Sequence, residues 1–154
     1  LNWFLKNDIS CRLLFNFFGA PDFVNYQKKP NLTYKKIAYM HKQLLENPVK
    51  VLKNFYETCN VEYSFHKVIN IETLRNALIE LQRENFSLKF NKLNFPIHTF
   101  YSTNDKVLNI NKESIDFLDN DNHDISFLNE YDHGFPKTNP EICFELIYKV
   151  LEKI

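Results

Sequence analysis

The sequence predicts an α/β fold: a parallel sheet joined by crossover helices, with a helical segment inserted after its first strand. Three observations carry this reading. Short apolar runs rich in β-formers alternate with longer stretches of three- and four-residue apolar spacing. The first of those runs is nearly continuous in its apolar half, as a strand buried on both faces is. Clusters of Gly, Pro, Asn and Asp separate the two kinds of segment.

Taken in order, residues 2–8 read as the tail of a helix. Ile9 to Phe18 is the first strand, stopped by Gly19-Ala20-Pro21-Asp22. Asp22 to Thr33 has no clean period and reads as a loop. Thr33 is a candidate N-cap for a helix whose inner face carries Ile37, Met40, His41 and Leu44. Asn47-Pro48 starts a second helix, with Pro48 near its first position and Val51, Leu52, Phe55 and Tyr56 as its stripe. A third helix spans Ile71 to Glu84, with Leu74, Leu78 and Leu81 inward. Ile97 to Tyr101 is the second strand, ended by the turn chemistry of Ser102-Thr103-Asn104-Asp105. A helix follows near Asn111 to Leu118, then a strand at Ile125 to Leu128, a loop from Asn129 to Pro140, and a closing helix from Pro140 to Ile154. Helices between strands require crossover connections and hence parallel pairing. Three strands make a thin sheet with two raw edges. Together with an opening residue, Leu1, that starts in mid-pattern, this leads us to expect further sequence upstream.

Composition narrows the function. With 19 Lys+Arg against 19 Asp+Glu, the chain is neutral overall, unlike a general nucleic-acid binder. Gly19 and Gly134 are the two glycines, too few to write a P-loop or a dinucleotide-binding fingerprint. No apolar run reaches the length of a membrane span. Cys11, Cys59 and Cys143 lie far apart with no CxxC pair, so a reducing cytoplasm is expected rather than a disulfide framework or a zinc site. The five histidines show no close metal spacing, and neither a metal nor a cofactor is expected.

Two residues stand out for chemistry. Asp105 lies at the carboxyl end of one strand and His133 just beyond the next, where open α/β sheets gather their reactive groups. A carboxylate beside an imidazole is the base-orienting half of a hydrolytic triad. The alternative is an ordinary turn aspartate and a surface-loop histidine. Cys59 with His66 offers a thiol nucleophile on paper, but nothing in the sequence places the two together.

The segment Phe95-Pro96-Ile97-His98-Thr99-Phe100-Tyr101-Ser102-Thr103-Asn104-Asp105-Lys106-Val107 resembles the P-x-x-x-x-x-G-x-x-D-x-x-V segment of α/β-hydrolases, with Ser102 in the glycine position. Glu130 to Pro136 resembles their G-H-x-x-x-x-x-x-P segment, with Asp132 in place of Gly and Pro140 as the following proline. Asp105 and His133 are 28 residues apart and in that family's order. Phe18 to Phe23 is similar to the A-S-S-P-x-F strand-to-lid junction of pimeloyl-[acyl-carrier-protein] methyl ester esterases. Ile37 to Phe55 and Leu74 to Leu81 are similar to their lid helices.

The resemblance implies the C-terminal part of an α/β-hydrolase, with core at residues 1–22 and 88–154 and a helical lid at residues 23–87. It implies serine carboxylester hydrolysis, with Asp105 and His133 catalytic, Phe55 lining an acyl tunnel, and no cofactor. The substrate implied is a pimeloyl-carrier methyl ester of biotin synthesis. None of the six serines has the flanking glycines of a G-x-S-x-G nucleophile elbow. The nucleophile is therefore expected on an N-terminal half, and the chain alone is expected to be inactive. A generic esterase or lipase-like hydrolase, or a non-catalytic remnant that keeps the basic lid, stands as the alternative.

Charge is segregated. Val24 to Tyr56 holds seven lysines and one acid, Glu46, whereas Asn111 to Glu145 holds nine acids and two lysines. In the resembled esterases a basic lid steers acyl-carrier protein. By that likeness Lys35, Lys36 and Lys42 are expected to dock the acidic carrier. An ordinary solvated lysine-rich surface is the other reading.

Overall fold

A computed structural model describes residues 6–7, 11–64, 69–115 and 121–153. Three strands form one parallel sheet in the order β1-β2-β3: β1 at Leu14–Phe17, β2 at Ile97–Ser102 and β3 at His123–Leu128. Leu14 stands opposite Ile97, and Ile97 opposite His123, so all three strands start level. β2 and β3 also finish level, Ser102 opposite Leu128, while β1 stops short at Phe17, opposite Phe100, so the segments that follow β2 and β3 leave the sheet side by side.

β1 is shorter than the expected Ile9–Phe18. Its ladder opens where the Leu14 N–H donates to Pro96 O, just before β2 begins. It closes at Phe18, whose φ of 56° turns the chain out of the extended region. Ile9 and Ser10, like residues 2–5, lie outside the described residues. β3 begins two residues earlier than expected. His123 and Asp124 hide it in the sequence, yet the His123 ring is buried against Phe90.

The helical layer follows β1. Helix α1 is Pro30–Glu46, α2 is Pro48–Thr58 and α3 is Ile71–Arg83. α1 starts before the expected cap at Thr33. Pro30 takes its first turn, where a missing N–H costs nothing, and no side chain caps it. Asn47 accepts from Lys50 N at 3.1 Å and Asn70 from Thr73 N at 2.9 Å, so α2 and α3 each start on an asparagine cap. α1 packs on both α2 and α3, with Ile37 and Leu44 buried. A short helix the sequence did not suggest, α4, spans Ser87–Asn91 and buries Phe90. Of the helix expected near Asn111 to Leu118, a single 3-10 turn at Lys112–Ser114 is described, and residues 116–118 lie outside the described set. The loop after β3 contains a one-turn helix, α5, at Phe135–Thr138, and α6 closes the described chain at Pro140–Leu151.

The segment carrying α1 to α3 leaves and rejoins the sheet at one place. Phe86 N–H donates to Pro21 O at 2.8 Å, and the Tyr26 hydroxyl donates to Ser87 Oγ at 2.9 Å. Burial pushes the Tyr26 hydroxyl up to about 12, which keeps it a neutral donor. Residues 26–28 are also stitched to the chain beyond β2. Lys28 N–H donates to Asn109 O, and Asn111 N–H to Tyr26 O. The buried Gln27 side chain donates to Val107 O at 2.9 Å and accepts from Asn109 N at 3.0 Å. This fixes the turn that follows Asp105. Gln27→Leu keeps bulk but leaves both backbone groups unpaired, so we expect a loss of about 1–3 kcal/mol per group. Urea denaturation should show a lowered midpoint, and hydrogen exchange should show the Asn109 amide exposed. An unchanged midpoint would contradict the assignment.

Candidate active site

Asp105 follows β2 directly, in a turn its own side chain builds. Its Oδ1 accepts from Val107 N and Leu108 N, both at 2.8 Å, the self-closing turn that aspartate favours. Its Oδ2 faces His133 Nδ1 at 2.8 Å, and the carboxylate side chain is 1% exposed. A carboxylate only accepts, so the proton of this contact sits on His133 Nδ1. The ring then presents Nε2 as its basic nitrogen, on a side chain that is 26% exposed.

Four contacts bring His133 there. The Ser102 hydroxyl, last in β2, donates to the Tyr131 carbonyl and accepts from Asn104 N. One buried hydroxyl thus braces both the Asp105 turn and the loop carrying His133. Sequence comparison marked Ser102 as standing in a glycine position but gave no hint of this bond, which joins residues 29 apart. Glu130, at φ 76°, turns the chain out of β3. Phe18, also left-handed, lays its ring along the imidazole, with centroids 6.3 Å apart and planes 28° apart. For a bulky residue that backbone costs about 1–2 kcal/mol. Phe135 packs on Phe18 and Tyr131, flooring the loop.

The fourth contact comes from the helical layer. α2 ends in a Schellman motif: Asn60 takes φ 55°, its N–H reaches Glu57 O and the Val61 N–H reaches Tyr56 O, both at 3.0 Å. The Cys59 carbonyl is left to accept from Gly134 N at 2.9 Å. The approach is so close that a Cβ on Gly134 would lie 2.2 Å from Val61 Cγ2 and 2.5 Å from Cys59 O. Here glycine is required for space.

The other expected residues are placed as follows. Lys35, Lys36 and Lys42 are exposed on α1 and form no ion pair with a described residue. Phe55 is half-buried on α2, its ring edge-on to Tyr56. Ser87 is bonded to Tyr26 and Ser102 to Tyr131, and no hydroxyl or thiol of a described residue hydrogen-bonds His133. Cys59 is buried, and burial, with the charges of Asp105 and Asp132, pushes its thiol up to about 11. It is a neutral thiol at physiological pH, unlike an activated nucleophile. His66 lies outside the described residues. Among the described residues no His, Cys, Asp or Glu cluster forms a metal site, and all three cysteines are unpaired. No described helix is long and apolar enough to cross a membrane.

The Gly134 contact yields a two-step expectation. Gly134→Ala should destabilise the fold and displace His133 from Asp105. Adding Val61→Ala should not restore it, because the Cys59 carbonyl cannot retreat. Thermal melts and the His133 Nδ1 proton resonance read the two effects. Full rescue by Val61→Ala would contradict the backbone clash.

No family model and no curated protein matches the sequence. Solved structures do resemble it. An esterase from Exiguobacterium antarcticum matches with a TM-score of 0.69 at 14% identity, over 98% of this chain and 61% of its own. A bromoperoxidase from Bacillus anthracis matches with a TM-score of 0.64 at 12% identity, over 92% of this chain and 58% of its own. A lipase-esterase related protein from Clostridium acetobutylicum matches with a TM-score of 0.58 at 18% identity, over 94% and 58%. The chain spans about three-fifths of the length of these proteins. With its parallel three-stranded sheet and flanking helices, it has the fold of part of an α/β-hydrolase.

Proposed function

We propose that the chain supplies the base half of a carboxylester hydrolase. The observation that carries this is the 2.8 Å contact between Asp105 Oδ2 and His133 Nδ1 at the carboxyl ends of adjacent parallel strands. His133 Nε2 takes the proton of an attacking serine hydroxyl and returns it to the leaving alcohol. Asp105 holds the tautomer and steadies the imidazolium between those steps. In this reading the attacking hydroxyl and the oxyanion-hole donors come from a segment these 154 residues do not contain. The esterase resemblance supports the reaction class. The unpaired cysteines suit a reducing cytoplasm.

The substrate we propose is an acyl ester on an acidic carrier protein, with the pimeloyl methyl ester favoured by the sequence likeness. Helices α1 to α3 act as the lid. Phe55, half-buried beside Tyr56, is the lid side chain that would meet the acyl chain in this reading. Lys35 and Lys42, two turns apart, share one exposed face of α1, with Lys36 beside them. Free of ion pairs with described residues, they are available to an acidic partner.

The 154-residue chain alone should not turn over p-nitrophenyl esters. In an enzyme completed by a serine-bearing segment, His133→Ala should lower kcat on the order of 10⁶-fold. Robust turnover by the chain alone, abolished by His133→Ala, would move the nucleophile into these residues. Turnover of the completed enzyme that survives His133→Ala would remove His133 from the reaction.

Docking is tested separately. Reversing Lys35, Lys36 and Lys42 to Glu should slow association with acyl-carrier protein and lower activity on the carrier-bound ester. Hydrolysis of a small free ester should hold. The wild-type association rate should also fall as salt rises past about 0.15 M, where exposed charges are screened beyond about 8 Å. Equal loss on both substrates would make the lysines structural, and loss on neither would leave them a solvated surface.

A further inference from the structure

Beyond the Asp105–His133 pair, one residue is held against the imidazole in a backbone conformation that its side chain disfavours. Phe18 closes β1 with φ 56°, yet its N–H still donates to Phe100 O at 2.9 Å. The kink therefore begins immediately past the last ladder bond. Asn16, buried in the same strand, donates from Nδ2 to Gly19 O at 2.9 Å and locks the turn from the other side. Gly19 lies next in the chain and would take the left-handed conformation at little cost, but Phe18 takes it. Left-handed bulky residues persist where the surroundings over-determine them, and they cluster at working sites. Here the result is a buried aromatic ring along the His133 imidazole, backed by Phe135.

We propose that Phe18 is a positioning residue for His133: its ring fixes the imidazole plane so that Nδ1–H stays on Asp105 and Nε2 is presented for proton transfer. This rests on the reading of His133 as the base. The geometry divides the task between two groups. Asp105 sets which nitrogen carries the proton but touches the ring at one point, about which the imidazole can tilt or rotate. A ring face along the imidazole restrains that tilt. Contacts of this kind shift a two-state ratio roughly two- to tenfold.

A second histidine supplies an internal reference. His98 Nδ1 lies 3.1 Å from Asp124 Oδ2, and its ring stacks on Phe15 with centroids 5.7 Å apart. It belongs to the same sheet but does not touch Phe18, so its signals report whether β1 and β2 remain paired.

The test is the tautomer of His133 in the full chain, read from its side-chain ¹⁵N shifts, in Phe18→Tyr, Phe18→Leu and Phe18→Gly. Phe18→Tyr keeps the ring face and should keep the wild-type tautomer. Phe18→Leu keeps apolar bulk without a face, and Phe18→Gly removes the side chain while relieving the backbone. Both should lower the Nδ1–H to Nε2–H ratio roughly two- to tenfold and speed exchange of the Nδ1 proton, with His98 unchanged. If Phe18→Gly loses the fold, Phe18→Leu decides. A wild-type tautomer and exchange rate in Phe18→Leu, or the same loss in Phe18→Tyr, would overturn the proposal. Failure of the base reading shows elsewhere, as ester turnover that survives His133→Ala, whatever the Phe18 variants do to the ring.

Discussion

Everything at the candidate site depends on one buried carboxylate having all its partners. Asp105 is taken out of water and offers only acceptors. Its turn provides two backbone N–H groups for Oδ1, and the opposite loop provides one imidazole N–H for Oδ2. Leaving such a group unpaired costs more than pairing it gains. The turn and the loop are therefore each tied to the presence of the other. The level start of the three strands makes the meeting possible, and the Asp105 bonds make it specific.

The same sheet holds a useful contrast. His98 also faces an aspartate and an aromatic ring, yet Asp124 is 64% exposed and sits in the first half of β3. That pair spans two strands on the surface, where water competes for the carboxylate. His133 differs in what surrounds its contact. Ser102 holds Tyr131 two residues away, Cys59 holds Gly134 next in the chain, and Phe18 lies along the ring. The helical layer thus helps to seat the histidine through the end of α2. The backbone next to His133 is tied directly to that layer.

Much of this was legible in the sequence where the governing rule is local or topological. The apolar runs revealed the strands, Asn47-Pro48 revealed the start of α2, the spacing of Leu74, Leu78 and Leu81 revealed α3, and the rule about strand carboxyl ends singled out Asp105 and His133. The unread parts depend on contacts between residues distant in sequence or on backbone choices that apolar spacing does not record. β3 opens with two polar residues, and only burial of the His123 ring against Phe90 explains that start. Thr33 has the chemistry of a cap, but Pro30 had already set the helix. Ser102 looked like a departure from a glycine pattern, while its hydroxyl bridges two loops. Phe18 read as one more apolar strand residue, because a positive φ leaves no mark in apolar periodicity.

The most direct measurement of the central claim is the His133 tautomer in Asp105→Asn, recorded beside the wild type. An asparagine can still accept from Val107 and Leu108 through its oxygen, so the turn survives, but it then presents an NH2 donor to His133 Nδ1. The account predicts that the ring switches to the Nε2–H form while His98 and the sheet are unchanged. A His133 that keeps its proton on Nδ1 in this variant would show that the carboxylate does not orient the imidazole, and the base assignment would fall with it.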